Sequence, residues 1–255
     1  MLEHLTIIFL ICMASGVLTG LLGVGGGLVI VPAFLTFLPM FGMGNLTIHN
    51  IIGISATCVF INSAVSVFYR RKEQFLPAKE ITKYGTAIII GTVFGAVVSS
   101  FAVKNILLCV YILISSLSLY LMLFKSDMKN KNPAFAHAVY PIFSLIGALS
   151  ASIGIGGAVF FSTAMNYFTE KDTKELLPTT TLLVLIHAFF AFASKWSMGF
   201  VTVQIIPIAF AASLVGSKIG ILVSQRLSSK TINKLMLVVL VLALVRIVLE
   251  LVYGS

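Results

Sequence analysis

Gly16 to Gly27 reads GVLTGLLGVGGG, and Gly147 to Ala158 reads GALSASIGIGGA. Aligned without gaps at a spacing of 131 residues, the two stretches share five of twelve positions: Gly16/Gly147, Leu18/Leu149, Gly23/Gly154, Gly25/Gly156 and Gly26/Gly157. Thr19/Ser150, Leu22/Ile153 and Val24/Ile155 are conservative pairs. Both stretches sit in apolar sequence, where a glycine cluster interrupts a helix and leaves backbone groups without intrahelical partners. In a bilayer such a break is tolerated only where protein buries it or it lines a cavity. A break repeated at corresponding positions of two halves points to a transporter's binding site.

The rest of the chain agrees with a membrane setting. Of 255 residues, 59% are hydrophobic and 10% charged, and the mean hydropathy is +1.09. Apolar runs fall near 5–22, 28–41, 50–69, 84–103, 105–124, 138–153, 158–169, 177–194, 202–223 and 235–252. The longer ones approach the ~20 residues that cross a hydrocarbon core. An all-α polytopic membrane protein is expected. The pairs 5–22 with 28–41 and 138–153 with 158–169 read as glycine-hinged hairpins, each followed by three transmembrane helices. No basic segment precedes the first run and apolar sequence resumes at once, so a cleaved signal peptide is not expected. Cys12, Cys58 and Cys109 lie in apolar runs without metal or redox spacing and read as buried small residues.

The net charge of +9 is a statement about topology rather than about nucleic acid. Arg70, Arg71, Lys72, Lys79 and Lys83 share one loop, Lys125, Lys129 and Lys131 a second, Lys171 and Lys174 a third, Arg226, Lys230 and Lys234 a fourth. The alternate loops hold only Lys104 and Lys195, while Lys218 and Arg246 fall inside apolar runs. Thirteen of seventeen basic residues on one side is the positive-inside pattern, which puts both termini outside the cytoplasm. Each half then makes an odd number of passes, so the halves 1–125 and 138–255, joined by a cytoplasmic linker at 126–137, have opposite orientations. That is an inverted-topology repeat.

The chain resembles the sulfite exporter TauE/SafE family of anion transporters. The residues that carry the resemblance are GLLGVGGGLVIVP (Gly20 to Pro32) with its degenerate copy SIGIGGA (Ser152 to Ala158), and GISATCVFINSA (Gly53 to Ala64) followed by YRRKEQF. The counterpart PTTTLLVLIHA (Pro178 to Ala188) followed by SKWSMGF matches too, as does the late motif GSKIG (Gly216 to Gly220). It spans nearly the whole chain. The resemblance implies movement of small sulfur-containing or organic anions, sulfite or sulfoacetate among them, across a bacterial inner membrane. One departure stands out: Thr163 occupies the place of Pro32 in the second copy.

Substrate-binding candidates follow from the breaks. Gly23, Gly25, Gly26 and Gly27, with Gly154, Gly156 and Gly157, let the backbone approach a ligand, and the helices beginning after them offer free N–H groups to an anion. Close helix packing is the competing use of glycine, and Gly16/Gly20, Gly23/Gly27, Gly91/Gly95 and Gly216/Gly220 have that spacing. Ser55, Thr57 and Asn62, aligned with Thr179, Thr181 and Ile186, supply neutral donors; back-bonding to helix carbonyls is their alternative. His187 is the proton-coupling candidate and Lys218 the charge-attraction candidate, with snorkelling as its alternative. Arg246 and Glu250 read as a local pair.

Acidic groups are nearly absent from the apolar runs, which argues against cation pathways. No catalytic set or metal cluster is present, so an enzyme, a cofactor and a metal are not expected. The expected partners are a small anionic substrate and the lipid bilayer, with no nucleic acid and homo-oligomerisation left open. The reading is a secondary anion transporter working by alternating access. An anion channel, or a non-transporting membrane subunit or sensor, remains the alternative. Cysteine labelling from outside intact cells, in a Cys-free background, is expected to reach residue 46 and to miss residue 79; labelling of 79 would overturn the orientation.

Overall fold

The computed structural model describes residues 2–23, 26–40, 47–123, 135–169 and 171–253. Val24, Gly25, Leu46 and residues 124–134, most of the expected linker, lie outside them. Ten α-helices account for the described secondary structure: α1 (Leu2–Leu22), α2 (Gly27–Met40), α3 (Ile48–Arg70), α4 (Ala78–Ser99), α5 (Lys104–Leu123), α6 (Phe135–Ile153), α7 (Ala158–Thr169), α8 (Thr173–Ser197), α9 (Ile205–Arg226) and α10 (Ser229–Tyr253). Five of them, α3, α4, α8, α9 and α10, are long and apolar enough to cross a membrane. α4 and α10 begin about a turn and a half before their apolar runs. Their opening turns, AKEITK and SKTINK, contain good helix formers that hydropathy alone passes over. α3 is opened by Thr47, whose hydroxyl accepts the Asn50 N–H at 3.3 Å.

Two glycine-built helix pairs form the frame. Gly16 and Gly20 of α1 lie against Ser213, Ser217 and Ile221 of α9, and Gly216 and Gly220 lie against Met13 and Val17 of α1. In the same way Gly91 and Gly95 of α4 lie against Ser144 and Ala148 of α6, while Gly147 faces Ile88 and Thr92. Most of the partner atoms are backbone, so the contacts are of the small-residue kind that lets two helix axes approach closely in lipid. The packing reading of these three glycine pairs holds.

Helix directions follow from which residues meet. Cys12 meets Cys58, Ser15 meets Asn62 and Gly20 meets Arg70, so α1 and α3 run the same way, as do α1 and α9. Thr92 meets His187 and Ser99 meets Lys195, so α4 runs with α8, and also with α6. Phe200, just past α8, packs on Gly53 near the start of α3. Leu76, just past α3, donates its N–H to Thr179 near the start of α8 at 2.9 Å. α3 and α8 are therefore antiparallel. Helices α1, α3 and α9 point one way, and α4, α6 and α8 the other. Contacts between the halves come in matched sets: α1 on α9 with α6 on α4, α3 on α9 with α8 on α4, and α2 on α10 with α7 on α5.

The outer surface is apolar. Ile90, Phe94, Val98, Leu113, Leu117 and Leu242 are all exposed, a belt that would drive association in water and suits contact with lipid chains. Cys12 and Cys58 are buried free thiols with their sulfurs 3.4 Å apart. Cys109 departs from the expectation of burial: it faces outward from α5, where a small apolar thiol serves a lipid-facing surface equally well.

The close approach can be tested with two alanines. A Cβ at Gly95 would strike the Ala148 backbone, whereas one at Gly85 meets only the flexible tip of Ile186 at 3.5 Å. Gly95→Ala should cost about 1–3 kcal/mol or more, read as a lower thermal midpoint and lower monodisperse yield in detergent. Gly85→Ala should lie within about 0.5 kcal/mol of the parent or above it.

Candidate functional site

The site is built where the two helix breaks meet. α1 ends at Leu22 and α2 starts at Gly27; α6 ends at Ile153 and α7 starts at Ala158. Gly23, Gly26, Gly154, Gly156 and Gly157 have φ of 66°, 70°, 68°, 84° and 66°, a left-handed backbone that side chains with a Cβ avoid. The two breaks touch: Gly27 lies directly on the Gly154 carbonyl and the Ile155 backbone. All these glycines are buried. Gly25 lies outside the described residues. The substitution of Pro32 by Thr163 leaves the second break intact, since Thr163 continues α7 by bonding back to the Val159 carbonyl at 2.8 Å.

Each break also rests on the long helix of the opposite half. Gly23 packs against Leu177 and the Thr181 hydroxyl of α8, and Gly154 packs against Ile52 and Ser55 of α3. Ser55 Oγ donates to the Gly154 carbonyl at 2.7 Å, tying α3 to the break. Ahead of the breaks, Ser15 and Thr19 of α1 underlie Gly26, and Ser150 of α6 underlies Gly157. Ser15 Oγ receives a hydrogen bond from Asn62 Nδ2 at 2.8 Å. Ser150 Oγ is buried with no partner. The first N–H groups of α7 face the break, and the Phe161 N–H is taken up by Gly157 O at 2.8 Å.

The other polar candidates are placed as follows. Thr57 bonds back to Gly53 O at 2.8 Å and Thr181 to Leu177 O at 2.6 Å. Thr179 is occupied by the Leu76 N–H. His187 Nδ1 pairs with Thr92 Oγ1 at 2.7 Å, and its ring meets the edge of Phe161, the residue that packs on Gly157. Lys218 is exposed, turned from the Gly216/Gly220 face of α9, and the structure does not bring it to the breaks. Arg246 and Glu250 pair at 3.0 Å, and Lys104 joins the same carboxylate at 3.0 Å.

A family model described as "Sulfite exporter TauE/SafE" matches residues 8–247. The chain belongs to the TauE/SafE family. It is also 26% identical over 239 residues to a protein of Methanocaldococcus jannaschii named "probable membrane transporter protein", covering 89% of this chain and 88% of that one. No solved structure matches. This TauE/SafE protein is thus a membrane transporter by family, and its glycine motifs are where the helix breaks of the two halves meet.

Two residues escaped the sequence reading. Arg70 and Lys195, counted there as loop charges, are helical and buried in this TauE/SafE protein, 2% and 0% exposed. Arg70 Nη2 donates to the Gly20 carbonyl at 2.5 Å and to Ser224 Oγ at 3.1 Å, and Nη1 pairs with Glu73 at 2.6 Å. Lys195 Nζ donates to the Ala96 carbonyl at 3.1 Å and to Ser99 Oγ at 2.8 Å. The available signal was their position at the start of the matched segments after each long helix. A cavity of about 370 Å³ opens beside the Arg70 end, lined by Glu73, Leu76, Lys171, Lys174 and Pro178 among others.

The Thr92 and His187 pair offers a stability test. Thr92→Val strands a buried imidazole nitrogen and should cost about 1–3 kcal/mol. Thr57→Val removes only a back-bond to its own helix and should cost less than about 1 kcal/mol. Thermal unfolding in detergent separates the two.

Proposed function

We propose that this chain is a secondary transporter of a small anion, a sulfur oxyanion or organosulfonate of the sulfite or sulfoacetate type. In this reading it works in the bacterial inner membrane by alternating access between inverted halves 1–125 and 138–255, with both termini outside the cytoplasm. The observation that carries the reading is the contact between two left-handed glycine breaks with an unpartnered Ser150 hydroxyl beneath the second. Backbone N–H groups and hydroxyls hold an anion without a fixed countercharge, so the site binds and still releases. Gly23, Gly26, Gly27, Gly154, Gly156 and Gly157 shape it. Ser55 and Thr181 stand next to it, and Thr57, Asn62 and Thr179 support the surrounding helices through the bonds described above.

The opposed helix directions support the inverted halves, since a rigid-body rocking of one against the other exposes a site between them to each side in turn. His187, held by Thr92 and shielded by Phe161, is read as a packing residue rather than a proton relay.

Counterflow in proteoliposomes tests the proposal: unlabelled sulfite trapped inside should drive uptake of radiolabelled sulfite. Gly156→Val cannot hold φ of 84° and should bring uptake to the level of empty liposomes while gel filtration still shows folded protein. His187→Gln should retain both flux and its pH profile. Flux without counterflow, far above carrier rates, would make the protein a channel. Absence of flux with every sulfur oxyanion and sulfonate tried would leave the glycines to packing.

A further inference from the structure

The buried cations of the two halves are counterparts. Ser99 closes the series Gly91, Gly95, Ser99 on α4, and Ser224 closes Gly216, Gly220, Ser224 on α9, each spaced by four. Arg70, at the last residue of α3, bonds Ser224; Lys195, near the end of α8, bonds Ser99. One offset along the chain relates both members of the pair, 70 to 195 and 99 to 224. Because α3 and α8 are antiparallel, the two cations sit at opposite ends of the bundle.

Their charges are treated differently. Arg70 is paired with Glu73. Lys195 has no carboxylate partner among the described residues, and Glu250, at its end of the bundle, is already taken by Lys104 and Arg246. An ammonium carries three donors, and Lys195 spends two, on Ala96 O and Ser99 Oγ. Its Nζ stands 5.8 Å from the centre of the Phe200 ring. The other side of that neighbourhood is His49, stacked on Phe200 at 5.1 Å with its Nδ1 buried and unpartnered. A fully buried ammonium without a countercharge is costly unless an anion visits it.

The geometry points to an anion subsite at Lys195, a small oxyanion accepting the third ammonium hydrogen bond beside Phe200 and His49, at the end of the bundle opposite Arg70. This deepens the transport reading and rests on it. The subsite lies at the α8 C-terminal end, where an anion would meet the protein before or after the glycine breaks.

Isothermal titration of the purified full-length protein with sodium sulfite, at constant ionic strength, tests the subsite alongside thermal midpoints measured without sulfite. Lys195→Gln should weaken sulfite binding roughly tenfold or more, as expected for loss of a charged hydrogen bond. Lys195→Arg, which keeps the charge, should remain within a few-fold of the parent. Ser99→Asp places an internal carboxylate on the ammonium, reproducing the situation of Arg70 with Glu73. It should keep or raise the thermal midpoint and still weaken sulfite binding by a similar factor, so it decides the matter alone if Lys195→Gln does not fold. Parental affinity in Lys195→Gln or in Ser99→Asp overturns the subsite and leaves the transport reading standing. No binding of sulfite, or of any other sulfur oxyanion or sulfonate tried, by the parent protein overturns both.

Discussion

Direct backbone contact between helices, possible only where a side chain is missing, holds this molecule in its shape. In lipid there is little hydrophobic gain in pressing two apolar helices together, so association depends on close packing and on hydrogen bonds between them. Gly20 on α9 and Gly95 on α6 supply that packing, with carbonyls of the partner occupying the space of the absent Cβ. The two tight pairs place α3 and α8 between them. The breaks of one half come to rest on the long helix of the other because α1 and α6, which end in those breaks, are fixed by the same pairs.

That arrangement explains why so polar an interior is stable. Ser55, Thr57, Asn62, Ser63, Thr179, Thr180 and Thr181 are all fully or almost fully buried, yet each of these has a partner, several of them the carbonyl one turn back. A threonine that bonds to its own helix adds no crosslink and asks nothing of its neighbours. Ser55 and Asn62 differ, since they reach across to Gly154 and Ser15. The polar groups therefore divide into those that belong to one helix and those that couple a long helix to a break.

The helix count, the two breaks and the glycine packing motifs were legible in the sequence because each leaves a local trace: an apolar run, a cluster, a spacing of four. The partners of the glycines were not, since Gly20 and Ser217 are nearly two hundred residues apart and nothing local names the pairing. Arg70 and Lys195 were misplaced for a related reason. A cation at the end of an apolar run looks like the first residue of a loop, and only the third dimension reveals the helix ends that close over it. Lys218 is the opposite case: it lies within an apolar run, but helical geometry turns it outward from the glycine face, in keeping with the snorkelling alternative. Depth in the sequence is not depth in the structure when a helix has one face to lipid and one to its neighbours.

On the proposed alternating-access reading, the matched contacts and unmatched charges bear on the transport cycle. Two halves with identical packing in opposite orientations would give inward-open and outward-open states of equal free energy, and neither would be favoured at rest. Any preference must come from positions where the halves differ. The frame contacts are matched in kind: α1 on α9 is repeated as α6 on α4, and Ser224 is repeated as Ser99. The charge at the helix ends is not. Arg70 brings to one end a guanidinium paired with the Glu73 carboxylate and bonded to both α1 and α9, whereas Lys195 closes the other with an ammonium that has only neutral acceptors. Separating α3 from α9 breaks a neutralised pair's hydrogen bond to Ser224, while its bond to Gly20 still ties α3 to α1. Separating α8 from α4 frees a charge that water or an anion can take. On the proposed reading, the second would cost less when an oxyanion is present, and substrate itself would bias which end opens.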